Sequence, residues 1–236
     1  GACLLLVVFV DLFIQPRFTP LVISLLITAS LGGHLMNAEV YHQEWEHMKS
    51  FYWQLSWRAP ALQPGTIIAS DQIPLYKVSD SGMTAPFNWT YAPDYHDRNL
   101  PYKVFDLDLR LDSDYAGIPE IKQGLPITHN YRSLFFSSST DKLLVFYDKR
   151  ETCLHVLSPL DGTIAGLPEK VDRLLPLSHL RLISASSTPA RPPLQVFGAE
   201  PVHDWCYFYQ KADLARQQKE WAQVAALWKQ ASEQSL

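Results

Sequence analysis

The chain has 236 residues, 47% of them hydrophobic, and a formal net charge of -4, enough for one large domain or two modest ones. Its 20 Lys and Arg against 24 Asp and Glu leave no basic surplus to displace counterions from a phosphate backbone, so nucleic acid is excluded as a partner. The three Cys, at 3, 153 and 206, form no CxxC and build no disulfide framework.

Charge is unevenly spread. Residues 1–36 carry only Asp11 and Arg17. GACLLLVVFVDLF has no charged leader in front of it and begins deep in an apolar stretch, which is read as a first membrane helix cut short. LVISLLITASLGGHLM, extended back to Phe18, reaches the ~20 residues a helix needs to cross a bilayer. Pro20 suits its first turn, and Ala29, Ser30, Gly32 and Gly33 would let a neighbour approach closely. The expectation is two membrane helices joined at Ile14-Gln15-Pro16-Arg17, a buried soluble hairpin being the alternative. Arg17 at the turn, against Glu39, Glu44 and Glu46 beyond, sets the turn in the cytoplasm and the rest outside.

From Ala38 to Ala59 the apolar residues Val40, Trp45, Met48, Tyr52, Leu55 and Ala59 recur at helical spacing. Gln54, Ser56 and Arg58 argue against a further span. The segment reads as an amphipathic helix leaving the membrane, its aromatic face meeting either sheet or lipid. Pro60 and Pro64 stop it. His42 and His47 are five apart, the wrong spacing for a zinc pair on one helix face, so no metal is expected.

TIIAS (66–70) is read as a buried strand and 71–101 as a long ordered loop, a length that usually serves a function. Within it, Phe87, Asn88, Trp89, Tyr91, Asp94, Tyr95, His96 and Arg98 combine rings with hydrogen-bonding groups, as a sugar or phospho-sugar site does. Of these, Asn88, Trp89, Tyr91, Asp94, His96 and Arg98 are the candidate ligand residues. The competing reading buries the rings against the sheet or at the interface. NWT (88–90) is formally a glycosylation sequon.

YKVFDLDLRLD (102–112) alternates and is read as a half-buried strand. Its Asp106, Asp108 and Asp112, with Asp114 beyond, read as a solvated edge that deters aggregation. Further strands are expected at 132–139, 142–148, 153–158 and 180–184. Near the end, Asp204 can cap a helix over WCYFYQKADLARQQ, and EWAQVAALWKQASEQ gives a second, with Lys219 where a tetratricopeptide-type turn has glycine. One such unit makes no solenoid. Cys3 lies in the apolar segment, so Cys153 and Cys206 are either core thiols or, in an oxidising compartment, a disulfide.

No GxGxxG, GxxxxGK[ST] or GxSxG pattern is present, so no cofactor or nucleophile is expected. The pattern as a whole predicts an α/β or α+β fold. It has a transmembrane hairpin over 1–37, an extracytoplasmic mixed-sheet domain over 38–199, and a TPR-like helical hairpin over 200–236.

FYWQLSWRAPALQPGT, TAPFNWTYAPD, and WCYFYQKADLARQ followed by Trp221 resemble the C-terminal portion of large bacterial multi-spanning proteins. Those in turn are similar to glycosyltransferases of the GT-C type. The resemblance implies an integral protein of the bacterial plasma membrane with this domain on the outer face. Its partners would be membrane lipid and a polyprenyl-phosphate sugar or a glycan acceptor. The catalytic carboxylate of that class lies in an early external loop outside this chain, so no catalytic residue carries over. The alternative is an extracytoplasmic protein- or glycan-binding module without catalysis.

Overall fold

In the computed structural model, residues 2–71, 79–112, 117–149, 152–185 and 188–234 are described. The chain forms two compact units, Gly1–Glu46 and His47–Leu236.

The first unit holds α1 (Ala2–Phe13) and the first part of α2 (Thr19–Arg58). A tight turn separates the helices, Phe18 N–H donating to Gln15 O at 2.8 Å. The side chains of Leu21, Ile23, Leu25, Ile27, Leu31 and Leu35 are exposed. Thr19 and Thr28 donate their hydroxyls to the carbonyls four residues back, Gln15 O and Ser24 O, which satisfies these polar side chains locally. The apolar segment and the amphipathic segment after it form one helix: α2 runs 40 residues without interruption, since nothing from Asn37 to Ser50 breaks a helix. α1 has 12 residues, fewer than the ~20 of a full span. Among the described residues one helix, α2, is long and apolar enough to cross a membrane.

The second unit mixes helix and sheet. Its strands are β1 (Ala61–Leu62), β2 (Ile67–Ser70), β3 (Lys103–Asp106), β4 (Pro126–Tyr131), β5 (Leu134–Ser139), β6 (Leu143–Tyr147), β7 (His155–Leu157) and β8 (Ile183–Ser184). Its further helices are α3 (Asp80–Tyr91), α4 (Leu107–Arg110), α5 (Glu169–Leu174), α6 (Leu194–Phe197), α7 (Trp205–Gln217) and α8 (Trp221–Glu233). The central sheet has the order β3-β2-β6-β7. β2 is parallel to both neighbours, and β7 is antiparallel to β6. β4 and β5 form a separate hairpin, and β1 pairs with β8.

β2 is buried along its whole length, which is why it reads as the unbroken apolar run IIAS. Ile67, Ala69, Phe105, Leu143 and Val145 cluster with Phe136 from β5 and with Val171 and Leu174 from α5. The alternate residues point the other way, where the end of α2 lies. Phe51 meets Phe146 at 5.0 Å between ring centroids, Tyr52 meets Phe197 at 4.7 Å, and Trp57 meets Tyr207 at 5.1 Å. The aromatic face of residues 51–57 thus rests on the domain itself. Burial of side chains such as Phe51 and Leu55 contributes roughly 1.5–3 kcal/mol each.

Polar ties fix the same helix to the C-terminal elements. Arg58, fully buried, donates from Nε to Asp213 Oδ2 at 2.6 Å and from Nη1 to Gln217 Oε1 at 2.8 Å. Gln54 Oε1 accepts from Leu154 N–H and from Gln210 Nε2. Nearby, a disulfide joins Cys153 to Cys206, 53 residues apart with Cα atoms 5.2 Å apart. It links the approach to β7 with the first turn of α7. Asp204 caps α7, accepting from Tyr207 N–H. At its far end Lys219 takes φ +63°, and Glu220 N–H reaches back to Ala215 O, the closure that usually has glycine.

Three expectations are corrected. The stretch 71–101 is not all loop, since 80–91 is helical, while 72–78 lies outside the described residues. The strand from 102 ends at Asp106, whose carboxylate accepts from Asp108 N–H and turns the chain into α4. Within 180–184 only Ile183–Ser184 is strand.

Candidate functional site

α3 forms against its own composition. Gly82 lowers its helix propensity, and Pro86 removes one backbone donor and disfavours helix at the residue before it. The helix is held instead by its cap and by burial. Ser79 Oγ accepts from Gly82 N–H, and Met83, Phe87, Asn88 and Thr90 are buried. Thr84 and Thr90 return their hydroxyls to the carbonyls four residues back, Asp80 O and Pro86 O. Asn88 then bolts the helix to the edge of the sheet. Its Nδ2 donates to Tyr102 O at 2.9 Å, and its Oδ1 accepts from Tyr102 N–H at 3.2 Å.

Opposite α3 stands the β4–β5 hairpin. Its two-residue turn places Arg132 at φ +55° between the paired residues Tyr131 and Leu134, as tight hairpins require. The segment 92–100 closes one side. It is pinned to β5 by Leu100 N–H to Phe135 O at 2.7 Å and Phe135 N–H to Arg98 O at 2.8 Å. Between these walls runs a groove of about 440 Å³. Trp89, Tyr95, Tyr131 and Phe135 line it and remain exposed, Trp89 at 51%. The groove is thus walled by exposed rings, and its edge is pinned through the backbone.

The floor carries charge. Lys103 lines it and donates to Ser81 Oγ at 3.2 Å. Behind it Arg110 grips Asp80, Nε to Oδ2 at 2.6 Å and Nη2 to Oδ1 at 3.2 Å. Burial alone would push the Asp80 carboxyl up. The hydrogen bond from Arg110, with the charges of Lys103 and Arg110, outweighs it and holds the group below the usual carboxylate value. Burial draws the Lys103 ammonium down to about 8, Asp80 opposing and Arg110 reinforcing. His129 lies on the same floor, its ring 6.3 Å from that of Phe105.

The groove gathers some of the candidate ligand residues and not others. Asn88, Trp89 and His96 line it. The hydroxyl of Tyr91 is turned toward the end of α2, donating to Leu55 O and Ala59 O. Asp94 and Arg98 are exposed and lie off the lining. Sequence reasoning missed Tyr131, Phe135 and Lys103. The exposed Phe135 next to the buried Phe136 in LFFSSS was the available signal for one of them.

The carboxylates of 106–112 are partnered. Asp108 pairs with Lys170 at 2.7 Å and Asp112 with Arg173 at 2.8 Å, while Asp106 caps α4; Asp114 lies outside the described residues. Among the described residues no group of three metal-type ligands converges. Compared with protein families, with curated proteins and with solved structures, the chain matches none.

Proposed function

We propose that the chain is the membrane-anchored, outer-face portion of a glycosyltransferase-like protein, and that the groove between α3 and the β4–β5 hairpin binds a glycan without itself catalysing transfer. The observation that carries this reading is the pairing of exposed rings, Trp89 and Tyr95 against Tyr131 and Phe135, over a polar floor. Sugar rings present apolar C–H faces that stack on aromatic side chains, and hydroxyls that the floor can bond. Two features accord with the outer-face placement. The Cys153–Cys206 disulfide belongs to oxidising compartments, and the apolar part of α2 supplies a means of anchoring.

The groove is tested on the full chain in lipid nanodiscs, by saturation-transfer NMR and intrinsic fluorescence against a panel of neutral and acidic saccharides. Binding that protects Trp89 is expected, and Trp89→Ala should weaken it about tenfold, the equivalent of ~1.4 kcal/mol of stacking. Binding unaffected by Trp89→Ala would remove the groove from the account. The likeness to the GT-C type is tested by whatever sequence precedes residue 1 in the gene. Eight or so further apolar spans with an acidic residue in the first external loop support it, and a short single-span protein sinks it.

A further inference from the structure

One end of the groove holds a cation. Lys103 is 1% exposed, yet it lines the groove beside Ser81. The Ser81 Oγ accepts its hydrogen bond at 3.2 Å, which fixes Nζ at the α3 side of the floor. An ammonium has three N–H donors, and among the described residues this one makes a single hydrogen bond. Its nearest carboxylate, Asp80, stands 3.8 Å away, too far for another. Asp80 is already held through both oxygens by Arg110. Asp80 is thus shared between Arg110 and Lys103, and Lys103 is the member on the lining. Of the described lining residues Asp97 alone is a carboxylate. It is exposed, and its Oδ1 accepts from the neighbouring Arg98 N–H.

We propose that the groove is an acidic-sugar site, in which a phosphate or carboxylate of the ligand docks on Lys103 Nζ while the sugar ring meets the aromatic walls. The inference rests on the groove being a glycan site and names the class of glycan. An anion at this point supplies further acceptors to the ammonium and offsets the charge that burial disfavours. A charged hydrogen bond inside a groove is also stronger than one in open water. Asp80 on α3 and Arg110 on α4 act on Lys103 directly, and the other titratable groups on the lining are His129 and Tyr131 on β4 with Tyr95, His96 and Asp97 from the segment 92–100. Of the phosphate and carboxylate sources, a sugar phosphate and a uronate present the same charge to the same atom, and affinity separates them.

The test uses the full chain in nanodiscs of zwitterionic lipid, with glucose 1-phosphate, glucuronate and glucose as probes, titrated calorimetrically at pH 7 and pH 9.5. At pH 7 the two acidic sugars should bind at least tenfold more tightly than glucose. Whichever of them binds more tightly identifies the anion. The preference should shrink at pH 9.5, because Lys103 sheds its proton at about 8. This readout on the unmodified protein stands even if Lys103→Met fails to fold. Where Lys103→Met does fold, it should bind the three probes alike, and Trp89→Ala should weaken all three in parallel. Glucose binding as tightly as the acidic sugars, or a preference that survives in Lys103→Met or at pH 9.5, overturns the anion subsite. If Trp89→Ala still weakens the probes in that case, the groove reading stands; binding of none of the three overturns both.

Discussion

Arg58 is the most demanding side chain in the domain to bury, and its burial lowers its pKa despite the charge and hydrogen bond of Asp213 beside it. The pair persists because Gln217 takes a second guanidinium N–H and Asp213 also receives Arg216. Removing one partner leaves a buried charge uncompensated, which costs about 3 kcal/mol. Asp213→Asn should therefore lower the denaturant midpoint markedly with little change in its slope. An unchanged midpoint would show that water reaches the guanidinium. Lys103 works in the opposite sense. Its folded pKa, about 8 against 10.5 unfolded, means that the unfolded chain binds more protons between those values. Stability thus rises with pH from 8 to 10.5, and Lys103→Met should flatten that rise in pH-dependent unfolding curves. The same scale shows where the sequence ran out. Asn88, Trp89 and Tyr91 are almost adjacent in a polar-aromatic stretch and look equivalent as ligand contacts. The α3 helix turns them apart, so that Asn88 clamps Tyr102, Tyr91 bonds the end of α2, and Trp89 faces the groove.

At the scale of elements, legibility followed local pattern. The helical period of 38–59, the apolar runs of β2 and β6, and the Asp204 cap of α7 are visible in the sequence, because neighbours along the chain set them. α3 was hidden by Gly82 and Pro86, and β4 by a proline start and the polar run Thr128-His129-Asn130. α3 forms because distant residues bury it, and β4, four of whose six residues are exposed, forms by pairing with β5; these two least legible elements are the walls of the groove. β3 ended early for another reason: alternation continues through DLDLRLD, but Asp106 caps a helical turn that alternation cannot register. Two outcomes belong here. Lys219 in the left-handed region carries a steric penalty that glycine lacks, so Lys219→Gly should stabilise the domain by about 1 kcal/mol, seen as a rise in Tm. Loss of the 53-residue closure in a Cys153→Ala, Cys206→Ala pair should cost about 4 kcal/mol from loop entropy. Reduction by dithiothreitol should match it in denaturant titrations. A much smaller loss would mean that the reduced, unfolded chain keeps residual structure between the two positions.

At the scale of the whole molecule, the apolar asymmetry of the sequence survives as two compact units with one helix running through the boundary at residues 46 and 47. If α2 anchors the protein, the full chain should stay in the membrane pellet after alkaline carbonate extraction; release into the supernatant would contradict an integral anchor. The ties that hold the end of α2 also have a history in time. Arg58 waits for Asp213, 155 residues later, and Gln54 waits for Gln210, 156 residues later. At ~5–20 residues per second of synthesis, the ribosome delivers the counterion about 8 to 30 s after the arginine. β6 (from Leu143) arrives part-way through that interval to meet Phe51, but Trp57 has no Tyr207 from α7 until near its end. The end of α2 is thus sealed only once α7 is made, and whatever escorts the nascent chain must shelter that aromatic face until then.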